Sequence, residues 1–169
     1  MKSAKIKTMT FTAAFAAMIC ITTAFILHIP VGNGYIHIGD GIIYLAASVL
    51  PFPFGLVAGA IGGGLSDLLS GYLPYVIPTM IIKSLNATCF YVVRKNDKIF
   101  STRSIICSVI SGCITIIGYY LVAIFLYGNP IAQLTTILPN AIQAVGSTVL
   151  FCVLGLGLDR VSFKQKILN

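Results

Sequence analysis

Polar and ionisable side chains are scarce in this sequence, and one glycine-rich stretch collects several of them. The 169 residues include four acidic residues and two histidines. Residues 30–44 read PVGNGYIHIGDGIIY, lie between two long apolar runs and supply Asn33, Tyr35, His37 and Asp40. Binding residues concentrate in loops, so we expect this stretch to form part of a binding site. A plainer alternative is that glycine and proline turn the chain and Asp40 caps the next helix.

Two charged residues, Asp67 and Lys83, interrupt apolar segments further along the chain. A charge inside such a segment is costly and is rarely left alone. A tight turn between their two helices brings the residues to similar depths, offset by roughly 6 Å at about 1.5 Å of rise per residue. We therefore predict an Asp67–Lys83 ion pair, which is either purely structural or also in contact with a ligand.

Several tyrosine and amide side chains lie in the outer halves of their predicted helices, so we expect them at the same end of the molecule. Aromatic rings combined with such donors suit a small, flat, polar ring compound. Tyrosine also anchors helices at a membrane interface, which is the alternative interpretation of each tyrosine. The candidate ligand contacts of this kind are Tyr72, Tyr75, Tyr119, Tyr120, Asn140 and Gln143.

Signatures of catalysis are missing from the sequence. The run GLSD at 64–67 is superficially similar to a nucleophile turn, but it lacks the final glycine of the GxSG of rhomboid-type intramembrane proteases, and its partner histidine would have to be His28 or His37. HExxH, paired catalytic carboxylates and a phosphate-binding P-loop do not occur. The five cysteines lie in apolar runs without metal-like spacing. We expect a protein that is not an enzyme, without its own ATPase, a cofactor or a metal site.

The composition indicates the class of protein that holds these residues. Hydrophobic residues make up 57% of the chain and charged residues 9%, and the mean hydropathy is +0.97. Because a soluble domain carries about 25% charged residues, we predict an all-α integral membrane protein. At about 20 residues per span, residues 1–169 form a single transmembrane domain of five or six helices. The basic residues that give the net charge of +7 sit at the ends of apolar segments, so we expect no nucleic-acid partner.

Six transmembrane helices account for the apolar segments, and proline and glycine mark their special features. Pro51 and Pro53 force a break between the second and third helices. Gly55, Gly59 and Gly63 repeat every four residues, so a neighbouring backbone or a ligand can approach that face of the third helix. The predicted ranges are 8–28, 40–50, 54–70, 75–93, 104–127 and 131–158, the last with an irregular start because Pro139-Asn140 lies within it.

The distribution of basic residues predicts the orientation of these helices. Lysines precede the first helix, four Lys or Arg residues lie in 94–103, and the tail 159–169 is also basic. The loops near 30–39, 72–74 and 128–130 contain neither Lys nor Arg. Basic loops remain in the cytoplasm, so both termini are predicted to be cytoplasmic. The glycine-rich stretch is then extracellular, beside the outer ends of the third and fourth helices.

Several segments match the pattern of one protein family. They are GYIHIGDGIIYLAA at 34–47, GAIGGGLSDLLSGY at 59–72 and PTMIIKSLNA at 78–87, together with the six-helix size and the pair Ala13/Ala17 in the first helix. With these features the chain resembles the S components, which are the substrate-binding subunits of energy-coupling factor (ECF) vitamin transporters. It is most similar to the branch that includes proteins assigned to hydroxymethylpyrimidine, pyridoxine or riboflavin uptake.

The resemblance implies a substrate-capture subunit of an ATP-driven vitamin importer in the cell membrane. S components bind a vitamin from outside in a pocket made by the outer halves of the helices and covered by the loop after the first helix. A transmembrane coupling protein (EcfT-like) and two cytoplasmic ATPases drive delivery. Ala13 and Ala17 would then dock to the coupling protein, although packing within the chain is the alternative. The resemblance assigns Asn33, Tyr35, His37 and Asp40 to the lid and pocket, with Asp67 and Lys83 in or under the pocket.

Two further function classes compete with this interpretation. A stand-alone secondary transporter is expected to show an internal repeat, and residues 1–85 and 86–169 show no convincing one. A structural membrane protein would need neither the polar loop nor the buried Asp67 and Lys83. Within the S-component interpretation, a hydroxymethylpyrimidine-like or pyridoxine-like vitamin is favoured and riboflavin is next. The reason is that the candidate contacts include donors and acceptors but no cluster of fixed positive charge.

Overall fold

A computed structural model describes residues 2–26, 28–32, 34–93 and 98–168 of the chain. These ranges form a helical bundle with one short β-hairpin, which the all-α prediction did not include. The helices are α1 Lys2–Ile21, α2 Asp40–Val49, α3 Phe54–Leu69, α4 Val76–Val93, α5 Thr102–Tyr127, α6 Pro130–Gln133, α7 Ile137–Arg160 and α8 Phe163–Leu168. The strands are β1 Ile29–Val31 and β2 Gly34–Ile36, and a π-helical turn, Thr22–Ile26, follows α1. Single 3₁₀ turns cover Leu73–Tyr75 and Leu134–Thr136.

The second to fifth predicted helices agree with the observed ones to within a few residues. Proline ends α2 as expected, and Ser101 caps α5 by accepting a hydrogen bond of 3.2 Å from the Ser104 N–H. The first helix was predicted over 8–28, but it begins at Lys2 and ends at Ile21, and the π-helical turn Thr22–Ile26 continues it. The predicted irregular start of the sixth helix is confirmed as α6 and a 3₁₀ turn, and Pro139 lies in the first turn of α7, where proline is tolerated.

Helix α2 lies at the centre of the bundle. It packs against α1, α3, α4 and α7, and every one of its residues except Ile42 is buried. Below its first turn, the ring of Tyr44 stacks on Phe90 at 5.3 Å between centroids and meets Phe151 edge-on at 6.0 Å. The first residue of this enclosed helix is Asp40, so its carboxylate must find partners inside the protein.

The glycines of α3 allow its neighbours to come close, as the sequence predicts. A Cβ atom placed on Gly62 would lie 2.7 Å from the carbonyl oxygen of Ala16 in α1. One placed on Gly63 would lie 2.9 Å from Cγ of Lys83 in α4. Both distances are too short for a real side chain, so these glycines set the separation between α3 and its two neighbours.

Long apolar segments with exposed apolar side chains agree with the predicted integral membrane class. Three segments, Lys5–Ile26, Thr102–Tyr127 and Pro130–Arg160, are long and apolar enough to cross a membrane, and α2 and α3 are shorter apolar helices. Large apolar side chains cover the outside, as illustrated by Phe125, which is 88% exposed. The count of six spans remains a prediction.

The segments that carry the basic residues meet at one end of the bundle. The ammonium group of Lys7 donates to the carbonyl oxygen of Lys166 at 3.1 Å. The carboxylate of Asp159 accepts from the backbone N–H groups of Ile99 and Phe100 at 2.9 and 2.8 Å. Residues 94–97, which include two of the predicted cytoplasmic basic residues, lie outside the described residues. The convergence agrees with a common side for all basic segments, and a cytoplasmic location for that side stays a prediction.

Candidate ligand-binding site

A cavity of about 200 Å³ lies at the other end of the bundle, under the β-hairpin. Its walls come from the hairpin, the C-terminal end of α3, the turn into α4, the C-terminal part of α5 and the region where α6 leads into α7. Of the residues predicted as ligand contacts, those that line it are Tyr35, His37, Asp67, Tyr72, Tyr75, Tyr119, Asn140 and Gln143. The fold therefore brings together residues that are spread over more than a hundred positions of the sequence.

Other predicted contacts lie elsewhere. The hydroxyl group of Tyr120 donates to the carbonyl oxygen of Pro130 at 3.3 Å and does not line the cavity. Asp40 and Lys83 are buried beneath the cavity and are not part of its wall. Asn33 lies outside the described residues.

Several lining residues were missed by the sequence reasoning. Gln133, Thr135 and Thr136 belong to α6 and the 3₁₀ turn, which form the irregular start of the sixth predicted helix. The irregular backbone there turns these side chains toward the hairpin, and Gln133 is buried and donates to the Gly128 carbonyl oxygen at 3.3 Å. The proline at 139 was the available signal, since it indicated irregular backbone nearby. The remaining missed wall residues are Val31, Gly32, Gly34 and Pro139.

The hairpin is attached to the bundle by hydrogen bonds from both of its sides. Tyr35 of β2 donates its hydroxyl hydrogen to Asp67 Oδ1 at 2.5 Å. Tyr72, in the turn after α3, donates to the carbonyl oxygen of Gly34 at 3.3 Å. On the other side, the backbone N–H of His37 donates to Gln143 Oε1 at 3.4 Å. These hydrogen bonds hold the short hairpin over the cavity.

Aromatic rings form one wall of the cavity. The rings of His28 and Tyr35 stack with centroids 4.0 Å apart, and Tyr35 also meets Tyr72 at 4.9 Å. Tyr75 and Tyr119 form a second pair at 6.3 Å. Rings in this arrangement offer flat faces against which a planar ligand can stack.

The predicted Asp67–Lys83 ion pair is wrong, because Lys83 pairs with Asp40 instead. The ammonium nitrogen of Lys83 lies 2.6 Å from Asp40 Oδ1, with exposures of 1% and 0% for the two side chains. The prediction compared only α3 and α4, which are joined by a turn, whereas α2 also packs against α4. The lysine stem passes beside Gly63, and its ammonium group reaches the start of α2.

Asp40 therefore does more than begin a helix. The N-cap residue of α2 is Gly39 and not Asp40, and Asp40 Oδ2 accepts from Gln143 Nε2 at 3.0 Å. The Lys83 ammonium also lies 5.1 Å from the centre of the Tyr119 ring, a cation–π distance. Through Gln143 and Tyr119, which both line the cavity, the ion pair supports the floor of the site.

His37 and Tyr35 both stay uncharged at neutral pH. Burial lowers the pKa of His37 to about 3, and the Lys83 cation acts in the same direction, while Asp40 opposes it. The ring nitrogen Nδ1 of His37 accepts from the Gly39 N–H at 3.1 Å, which leaves the proton on Nε2. Burial, reinforced by the Asp67 carboxylate, raises the pKa of the Tyr35 hydroxyl far above its usual range. Tyr35 is therefore a permanent donor.

The alanine pair of α1 faces away from the bundle. Ala13 and Ala17 are exposed, whereas Ala16 is buried against Gly62 of α3. The small residue that helps α1 to pack within the chain is therefore Ala16. The two alanines predicted to dock a partner remain accessible on the outer surface.

Comparison with known proteins gives two findings. Residues 3–160 match the sequence model of the family described as ECF-type riboflavin transporter, S component. The chain is also similar to a protein of Pyrococcus woesei described as "Uncharacterized protein in gap 3'region". The two are 28% identical over 133 residues, which cover 78% of this chain and 88% of that protein.

Proposed function

The chain belongs to the ECF-type riboflavin transporter S component family, and we propose that it captures a small heteroaromatic vitamin in the cavity under the hairpin. Membership makes it an integral cell-membrane protein and the vitamin-capture subunit of an ECF transporter.

The observation that carries the proposal is the composition of the cavity wall. Four tyrosines supply flat faces, and Asn140 and Gln143 supply amide donors and acceptors. Among the described residues, no Lys or Arg lines the cavity. Such a wall suits an uncharged or cationic ring and disfavours a phosphorylated vitamin, whose anionic group would have no cation to meet.

A single-ring vitamin of the hydroxymethylpyrimidine or pyridoxine type is the first candidate. A cavity of about 200 Å³ under a closed hairpin favours a small ligand. Riboflavin is the second candidate, because the description of the matching family names that vitamin. The larger flavin would require the hairpin to lie further from the bundle than it does here.

Delivery into the cell requires partners, and the exposed face of α1 is the proposed contact. Ala13 and Ala17 leave a shallow, side-chain-poor surface that a helix of a coupling protein can approach closely. The sequence has no phosphate-binding loop, so energy is proposed to come from two ATPases that bind the coupling protein. We propose that the hairpin then opens and releases the vitamin into the cell.

The direct test of capture is to identify what the protein carries. We expect the purified full chain to retain a heteroaromatic vitamin that mass spectrometry identifies after denaturation. Added pyrimidine, pyridine or flavin vitamins should bind saturably by isothermal titration calorimetry. The absence of saturable binding by all three classes would refute the proposed function.

A bulky substitution tests the docking face separately. Ala17→Trp should abolish vitamin uptake by cells that contain the partners, because the indole ring separates the two helices, while binding to the purified protein is unchanged. The control is Val153→Trp, which places the same ring on an exposed position of α7. Loss of binding in Ala17→Trp, or equal loss of uptake in both variants, would contradict the docking role.

A further inference from the structure

Asp67 is a buried acidic residue that lacks a cationic partner among the described residues. Its side chain is 3% exposed and lines the cavity. The nearby ammonium group of Lys83 is already paired with Asp40 at 2.6 Å. A buried carboxylate without a counter-charge is costly, so its position in a ligand cavity calls for an explanation.

The two oxygen atoms of Asp67 are in different situations. Oδ1 accepts the hydroxyl hydrogen of Tyr35. Oδ2 is buried and accepts no hydrogen bond of ordinary geometry from the described residues. The hydroxyl of Thr79 also interacts with the Asp67 carboxylate and shares a hydrogen bond of 2.9 Å with Tyr119, in which either hydroxyl can donate. The described partners of the Asp67 carboxylate are therefore neutral hydroxyl groups, and no cation forms a salt bridge with it.

The rings around Asp67 favour positive charge as well. Tyr35 binds the carboxylate directly, and Tyr72, Tyr75 and Tyr119 line the same cavity. The faces of tyrosine rings carry negative potential and attract cations. His28 stacks on Tyr35 at 4.0 Å, but no hydrogen bond joins it to Asp67 in the described structure.

We propose that the vitamin carries an amino group or a protonated ring nitrogen that donates to the Asp67 carboxylate. This inference rests on the proposed function and narrows its substrate class. The ligand brings the positive charge that the cavity wall lacks. A ligand with a carboxylate or phosphate in the same position meets Asp67 without an intervening cation and is rejected.

The first test uses matched rings with the wild-type full chain in nanodiscs. Pyridoxamine, pyridoxine and 4-pyridoxic acid share one ring and carry an ammonium, a neutral and an anionic substituent. A second pair is 4-amino-5-hydroxymethyl-2-methylpyrimidine and its 4-oxo counterpart. In the ring series that binds, we expect the aminated member to bind at least about tenfold more tightly than the neutral one. The anionic member should show no measurable binding.

A substitution tests whether Asp67 is the source of that preference. Asp67→Asn keeps the shape of the side chain and removes its charge, so the preference for the aminated ring should fall to less than about twofold. The matched control is Asp159→Asn, which neutralises a carboxylate at the basic end of the bundle, away from the cavity, and should retain the wild-type preference. Thermal unfolding of each variant confirms that the binding data come from folded protein.

The outcomes separate this inference from the proposed function. If no ring of any class binds, the proposed function itself fails. If riboflavin or the neutral rings bind as tightly as the aminated ones, vitamin capture stands and the assignment of an amino or protonated ring is overturned. If the aminated ring is preferred equally by wild type and Asp67→Asn, the role of Asp67 is refuted.

Discussion

Asp40 and Asp67 are both buried near the cavity, but the protein neutralises only one of them. Asp40 has the Lys83 ammonium at 2.6 Å and the Gln143 amide at 3.0 Å. Asp67 has a tyrosine hydroxyl on one oxygen and no cation among the described residues. The first carboxylate is satisfied by the fold, whereas the second is left with capacity for a ligand. Burial alone therefore does not distinguish a structural acid from a binding acid, because the difference lies in which partners remain free.

Gln143 connects the two regions. Its amide nitrogen donates to Asp40 Oδ2, and its amide oxygen accepts from the His37 N–H at 3.4 Å. The same residue lines the cavity. The ion pair thus holds the orientation of a residue that holds the hairpin, although Asp40 and Lys83 do not line the cavity themselves.

Breaking the ion pair should have the largest effect. Lys83→Met leaves Asp40 buried without its cation, so the free energy of unfolding should fall by about 3–5 kcal/mol. Adding Asp40→Asn to Lys83→Met should recover most of that loss, since the uncompensated charge is then removed. Reversible unfolding in mixed micelles, followed by circular dichroism, provides the measurement.

A matched lysine serves as the control for this prediction. Lys98→Met removes an exposed lysine at the basic end of the bundle and should change the free energy of unfolding by less than about 0.5 kcal/mol. A loss in Lys83→Met no greater than in Asp67→Asn would contradict the structural role assigned to the Asp40–Lys83 pair.

Removing the donor to Asp67 should have an intermediate effect. Tyr35→Phe leaves Asp67 Oδ1 buried without its hydrogen bond, which should lower the free energy of unfolding by about 1–3 kcal/mol. Vitamin affinity should fall roughly tenfold, because Tyr35 holds both the carboxylate and the hairpin. Calorimetric titration with the co-purified vitamin measures the change.

Tyr72→Phe provides the comparison for Tyr35→Phe. Tyr72 donates to the carbonyl oxygen of Gly34 at 3.3 Å, a longer bond to a backbone atom of the hairpin. We expect the loss of this hydrogen bond in Tyr72→Phe to lower the free energy of unfolding by less than about 1 kcal/mol. If the free energy of unfolding fell equally in the two variants, the hairpin contacts, and not the buried carboxylate, would account for the loss of stability.

The smallest effect on vitamin affinity should come from changing the pH around the usual pKa of a histidine, as far as His37 is concerned. Because burial lowers its pKa to about 3, His37 remains neutral in the folded protein between about pH 5 and pH 8. The pH profile of vitamin affinity in His37→Gln should therefore parallel that of wild type over this range. A wild-type profile that bends near pH 6.5 and straightens in His37→Gln would contradict the neutral state.

The stability of the fold should nevertheless depend on pH in a defined direction. The unfolded chain binds a proton at His37 near pH 6.5, whereas the folded chain does so only near pH 3. The unfolded state therefore holds more protons between these values, and the free energy of unfolding falls as pH decreases from about 6.5 toward about 3. His37→Gln should lose this part of the dependence. His28→Gln, which changes the other histidine beside the cavity, serves as the comparison.

Much of the inventory of this site follows from sequence alone. Because the chain is so hydrophobic, it has few polar residues that could contact a ligand, and this scarcity identifies Tyr35, His37 and Asp67 as candidates. Proline and glycine mark the ends of α2 and the close-packed face of α3, since their backbone restrictions are local. Alternation along an extended segment predicts that Tyr35 and His37 lie on the same side; β2 ends at Ile36, one residue before His37, and both residues line the cavity.

Partner choice, in contrast, is a property of the tertiary structure. The sequence places Lys83 near Asp67 by joining α3 to α4, but the packing of α2 against α4 brings Asp40 to the lysine ammonium. The contributions of Gln133, Thr135 and Thr136 likewise depend on irregular backbone folded toward the hairpin. Hydropathy and helical period act over a few residues and determine the class, the helices and the candidates. Which buried carboxylate receives the lysine is decided by contacts between distant segments, and these form only when the bundle is assembled.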